Sequence, residues 1–109
     1  MHVVIVEDQT MIRSLLESYF PPEQGHRIVA SIPGAKQAVE VCRPGPVDLV
    51  LMDVQTEHRE NGLAALRQIK SMRPEIKVIV VTSLIDGAVL EEARAAGADS
   101  LWYKDSAQN

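Results

Sequence analysis

The sequence predicts a doubly wound α/β domain built on a five-stranded parallel sheet. Three observations predict it: five short apolar runs rich in Val, Ile and Leu, amphipathic segments of helical period between them, and Pro or Gly punctuation at the junctions. The runs "VVIV", "LVLM" and "VIVV" are continuous rather than alternating. That pattern suits strands covered on both faces, as in parallel sheets flanked by helices.

In chain order, the first strand is expected at residues 2–6, and a helix over 11–20 carries Met11, Leu15 and Tyr19 beside Ile12, Leu16 and Phe20. Pro21 and Pro22 stop it, because a proline inside a helix removes a donor and clashes with the preceding turn. A second strand at 27–30 leads to a helix at 35–42 with Ala35, Ala38, Val39 and Cys42 on one side, broken by "RPGP". The third strand is expected at 48–52, followed by a helix capped by Asn61 that carries Leu63, Leu66 and Ile69 and ends before Pro74. The fourth strand, 77–81, precedes a helix capped by Asp86, with Val89, Leu90, Ala93 and Ala96 inward and Gly97 as its stop. A fifth strand follows at 100–103. Strand and helix alternate four times before that last strand, and right-handed crossovers then place helices on both sheet faces.

With 109 residues, 46% of them hydrophobic, the chain is of single-domain size, able to bury roughly two thirds of its unfolded surface. No internal linker, repeat or low-complexity segment divides residues 1–109. A net charge of -4 without a basic stripe argues against nucleic-acid binding by this chain alone. Its single cysteine, Cys42, is expected to be a small buried hydrophobe, and no apolar stretch has membrane-spanning length. These features predict a cytoplasmic domain that contacts no membrane.

In a parallel sheet the carboxyl ends of all strands share one edge, and ligands bind outside that edge where the strand order reverses. The strand ends here read Glu7-Asp8, Asp53, Thr82-Ser83 and Lys104. Two carboxylates 4 Å apart repel by about 4 kcal/mol at an effective dielectric of ~20, so a positive charge must sit among the three. A hard divalent cation with oxygen ligands, Mg²⁺, meets that need, with Lys104 as a further cation and Thr82 as a hydroxyl donor. Asp53, ending a buried strand on a charge, is then expected to be the nucleophile toward an incoming phosphoryl group.

The set "VEDQ", "LMD", "VTS" and "WYKD", in this order at successive strand ends, resembles the receiver domain of bacterial response regulators, over residues 2–106. The resemblance implies the flavodoxin-like, CheY-like strand order 2-1-3-4-5. It implies phosphoryl transfer from a sensor histidine kinase to Asp53, and Mg²⁺ held by Asp8, Asp53 and the backbone carbonyl of Gln55, with Glu7 acting through water. Thr82 and Lys104 would hold the phosphoryl oxygens, and Gln55 and Leu84 would tune hydrolysis. "AAGADSLWYKDS" is most similar to receivers that precede a helix-turn-helix output domain of the LuxR/NarL type. Such a domain catalyses only its own phosphorylation and dephosphorylation, so it is a switch rather than an enzyme.

Four positions depart from the family pattern. The loop "DVQTEHRENG" has no Met-Pro pair and one extra residue before Gly62. Leu101 stands where the family's switch aromatic is usual, with Trp102 and Tyr103 beside it, and Asp105, where many receivers have proline, predicts a trans bond. After Lys104 only "DSAQN" follows, so the family's fifth helix is expected to be missing from this chain, leaving an apolar face that favours a homodimer.

Other readings meet the same residues. A haloacid-dehalogenase-type phosphatase needs an acid/base aspartate two residues after the nucleophile, where this chain has Gln55. A dinucleotide-binding module needs a Gly-rich turn where it has "VEDQT". A pseudo-receiver, a protein-interaction module that keeps the fold without being phosphorylated, stays open as the alternative. His58 and Arg59 read as solvated loop, and His2 and His26 as structural or exposed.

Overall fold

The computed structural model describes residues 1–54, 62–83 and 87–104. Strands β1 (His2–Val6), β2 (Arg27–Ile32), β3 (Leu49–Asp53), β4 (Lys77–Thr82) and β5 (Ser100–Tyr103) alternate with helices α1 (Thr10–Ser18), α2 (Ala35–Cys42), α3 (Gly62–Met72) and α4 (Gly87–Ala96). All strand pairs are parallel, in the order β2-β1-β3-β4-β5. The switch point of the winding therefore lies between β1 and β3, as expected.

Strand alternation divides the sheet between two cores. Val4, Val6, Val50, Met52, Val78 and Val80 face one side, where Ala38, Val39 and Cys42 of α2, Leu66 and Ile69 of α3, and Ala93 and Ala96 of α4 cover them. Val3, Ile5, Leu49, Leu51 and Val81 face the other, under Ile12 and Leu16 of α1. This two-sided burial is why β1, β3 and β4 read as unbroken apolar runs, since both pleat directions must be hydrophobic. Edge strand β2 is more exposed. Burial pushes the Cys42 thiol up to about 11 despite the nearby Arg73 charge, as fits an inert core residue.

Several boundaries differ from expectation. α1 spans residues 10–18 rather than 11–20, with Tyr19 as its C-cap and Phe20 donating its amide to the Glu17 carbonyl just before the prolines. Its buried seam is Ile12 and Leu16, while Met11 is 86% exposed and Tyr19 50% exposed. A helix lying on a flat sheet touches it along one stripe, and the neighbouring stripe is buried only by a second helix alongside. Among the described residues no second helix stands on that face. A hollow of about 200 Å³ opens there between Leu16, Tyr19, Phe20, Leu51, Ile79 and Trp102. β2 runs two residues past its expected end, and β3 and β4 each end one residue later, so Asp53 and Thr82 are the last residues of their strands.

α4 stops as predicted at Gly97, whose φ of 105° is the left-handed conformation that glycine adopts without strain. The Ala98 amide donates to the Ala93 carbonyl and the Gly97 amide to the Arg94 carbonyl, each at 3.0 Å, completing a Schellman closure. The expected caps Asn61 and Asp86, and the Lys104–Asp105 bond, lie outside the described residues.

At the amino edge of the sheet, away from the strand ends that carry the acids, polar clamps tie the loops down. The Asp99 carboxylate accepts the Val78 amide at 2.9 Å and the Lys70 ammonium at 3.1 Å. Arg73 donates to the carbonyls of Cys42 and Gly45. The His2 amide donates to Asp48 at 2.7 Å, and the His26 ring packs edge-on against Phe20, so both histidines are structural.

Candidate phosphoacceptor site

Residues 3, 5 and 7 of the first strand share one pleat direction, as do 49, 51 and 53 of the third and 102 and 104 of the fifth. That parity aims Glu7, Asp53 and Lys104 to the same side at the carboxyl edge. β5 stands two strand spacings from β3 and three from β1, about 10 and 14 Å, so only a long side chain crosses the end of β4 to meet the acids. Lys104 does so: its Nζ lies 2.9 Å from Glu7 Oε1 and 3.2 Å from Asp53 Oδ2. Glu7 is 0% exposed, Asp53 1% and Lys104 6%. Burial pulls the Lys104 pKa down, but the hydrogen bond to Glu7 and the charges of Asp53 and Glu7 outweigh it, and the ammonium ends above its ordinary value.

Glu7 is held on every side. Its amide donates to the Ile32 carbonyl at 2.9 Å, continuing the β1–β2 ladder. Its Oε2 accepts the Gln9 amide at 2.9 Å, as a helix cap would, and its carbonyl accepts Arg13 Nη1 at 2.9 Å. With both carboxylate oxygens engaged by protein groups, Glu7 contrasts with its neighbour Asp8, whose side chain is exposed. Ligand oxygens of Glu7, Asp8 and Asp53 nonetheless lie within 4.8 Å of one another. Three acids this close, two of which share the Lys104 ammonium, make a donor set of the oxygen-only kind that suits Mg²⁺.

Thr82 is 1% exposed at the end of β4, one residue past Val81, which is the register partner of Asp53. Its parity follows Val78 and Val80, so it reaches the edge from the side covered by α3 and α4. On β5, Leu101 packs toward that same side, whereas Trp102 packs with the α1 core, 6.0 Å from Tyr19 in an edge-on arrangement.

A family model for the response regulator receiver domain matches residues 3–109. The chain belongs to that family. The receiver is 33% identical over 102 residues to the response regulator protein VraR of Staphylococcus aureus, covering 94% of this chain and 48% of VraR. It thus spans about half the length of the curated relatives it matches. Among solved structures it resembles the response regulator domain of Thermotoga maritima CheB, with a TM-score of 0.81 and 27% identity over 95% of this chain and 78% of that one. It also resembles a LuxR-family DNA-binding response regulator from Staphylococcus aureus, with a TM-score of 0.79 and 23% identity over 95% of this chain and 86% of the other.

Of the site residues expected from sequence, the receiver brings Glu7, Asp8, Asp53 and Lys104 into one cluster and buries Thr82 at the end of the adjacent strand β4. Gln55, with Leu84, His58 and Arg59, lies outside the described residues. Two residues went unassigned in the sequence. Gly62 opens α3 directly against the Asp53 main chain: a Cβ there would collide with the Asp53 carbonyl oxygen and come 3.0 Å from Val54 Cα. Arg13 was legible in principle, because helix side chains lean toward the amino end and the fourth helical residue of α1 therefore reaches back over the β1–α1 loop.

Proposed function

We propose that Asp53 of this receiver accepts a phosphoryl group from the phosphohistidine of a sensor kinase. The observation that carries the reading is the buried Asp53 carboxylate, 3.2 Å from Lys104 and within 4.8 Å of two further acids at the sheet edge. An Asp53 oxygen attacks phosphorus in line, the P–N bond to the donor imidazole breaks, and the imidazole nitrogen keeps the electron pair and takes up a proton. Lys104 balances the charge that gathers on the equatorial oxygens, and the Thr82 hydroxyl donates to one of them. Asp8 and Asp53, with the Gln55 carbonyl, would hold Mg²⁺, and Glu7 would act through water because its own oxygens are engaged. When bound, Mg²⁺ supplies charge neutralisation between the carboxylates and the phosphoryl oxygens.

On this reading the receiver is a cytoplasmic switch, not an enzyme, and the phosphorylated state acts on a C-terminal helix-turn-helix output domain that binds DNA. The hollow beside Trp102 favours a homodimer through that face; sedimentation at rising concentration should show a growing dimer fraction.

The deciding experiment is mass spectrometry after incubation with acetyl phosphate. Wild type should gain one phosphoryl mass only when Mg²⁺ is present, and Asp53→Asn should gain none. Absence of the adduct in wild type would favour the pseudo-receiver.

A further inference from the structure

Two of the three clustered acids, Glu7 and Asp8, sit on the short loop between β1 and α1. Glu7 is fixed there by the sheet through its amide, by Gln9 and Lys104 through its carboxylate, and by Arg13 through its carbonyl. The last of these contacts acts on Asp8. A carbonyl and the following amide share one rigid plane, so holding the Glu7 carbonyl orients the peptide from which Asp8 is mounted. Asp8 has an exposed side chain, and burial does not orient it. The backbone therefore sets the direction in which its Cβ leaves the chain.

We infer that Arg13 is a positioning residue of the cation site, fixing the Glu7–Asp8 peptide so that the Asp8 carboxylate faces Asp53. The inference rests on the phosphoacceptor reading of the site. Coulomb attraction gives no reason for an arginine here, since a guanidinium beside a cation site repels the cation. What Arg13 supplies is a hydrogen bond of 2.9 Å to the loop's main chain, from a half-buried side chain anchored on the first turns of α1.

The two roles have opposite signs, which makes the test decisive. Mn²⁺, which takes the same oxygen ligands as Mg²⁺, is titrated into the 109-residue chain, free Mn²⁺ is read by electron paramagnetic resonance, and melting curves are taken alongside. Arg13→Met should bind Mn²⁺ about tenfold more weakly than wild type, as loss of an outer-shell partner does. Arg13→Lys, whose ammonium can donate to the same carbonyl, should recover most of the loss. Equal or tighter binding by Arg13→Met overturns the inference, as does an Arg13→Lys no better than Arg13→Met. If Arg13→Met does not fold, Arg13→Lys is compared with Arg13→Ala, which has no side-chain donor: positioning requires the lysine variant to bind more tightly, and equality or the reverse order overturns it. A wild type that binds no Mn²⁺ removes the cation reading itself, whereas a wild type that binds as well as Arg13→Met removes only the role of Arg13.

Discussion

Replacing Lys104 by methionine keeps most of the side-chain volume and deletes the ammonium that lies 2.9 Å from Glu7 and 3.2 Å from Asp53. Both acids are buried, at 0% and 1% exposure, so the variant leaves two carboxylates out of water and facing each other. Breaking a buried ion pair by removing one partner typically costs about 3–5 kcal/mol. For 109 residues the unfolding entropy is roughly 0.23 kcal/mol/K, from about 2.1 cal/mol/K per residue, so Tm should fall by about 13–22 °C. That is a large part of the ~5–15 kcal/mol that holds a domain together. The assay is a thermal melt at neutral pH in chelator, repeated in Mg²⁺ and at acid pH. Millimolar Mg²⁺ should restore stability by mass action, and acid should narrow the gap by neutralising the carboxylates. Wild type carries the alkaline counterpart. Because the folded pKa of Lys104 is raised, its contribution is complete below the unfolded lysine value of about 10.4 and is lost as pH rises through the folded value. A Lys104→Met protein as stable as wild type in chelator would refute the reasoning, since the acids would then need no ammonium.

Further outcomes follow from the same contacts. Gly62→Ala forces a methyl against the Asp53 carbonyl, so α3 or the end of β3 must shift; a loss of about 1–3 kcal/mol in urea unfolding is expected, together with slower phosphorylation by acetyl phosphate. Thr82→Ala should still accept phosphate at Asp53 yet blunt the response of Trp102, the one tryptophan, to beryllofluoride. Equal fluorescence changes in the two proteins would exclude Thr82 as the coupling residue. Asp99→Asn should lose stability at neutral pH and little in strong acid. Burial raises the Asp99 pKa, but the Val78 amide and Lys70 overcome that and lower it, so its contribution is present above about pH 3.9 and lost as pH falls through the folded value.

The sequence by itself determined the sheet, the alternation of strand and helix, and the acids and lysine at one edge, because these depend on short-range patterns. Unbroken apolar runs mean burial on both faces, and a polar residue at the end of each run lands on the same edge once the strands are parallel. Gly97 was legible as a helix stop for the same local reason. The boundaries of α1 were less so, because Met11 and Tyr19 have the chemistry of a core stripe and are exposed only through the lack of a neighbouring helix among the described residues. The division of labour at the site was decided by tertiary structure alone. Glu7 and Asp8 are adjacent acids that sequence cannot rank, yet one is locked among Gln9, Lys104 and Ile32 while the other stays exposed at the same cluster. Contact between Lys104 and Glu7 spans three strand spacings from β5 to β1, and the contact of Gly62 with the Asp53 carbonyl depends on how α3 lands on the sheet. Both are set by packing between segments far apart in the chain, and local periodicity carries no record of such distances.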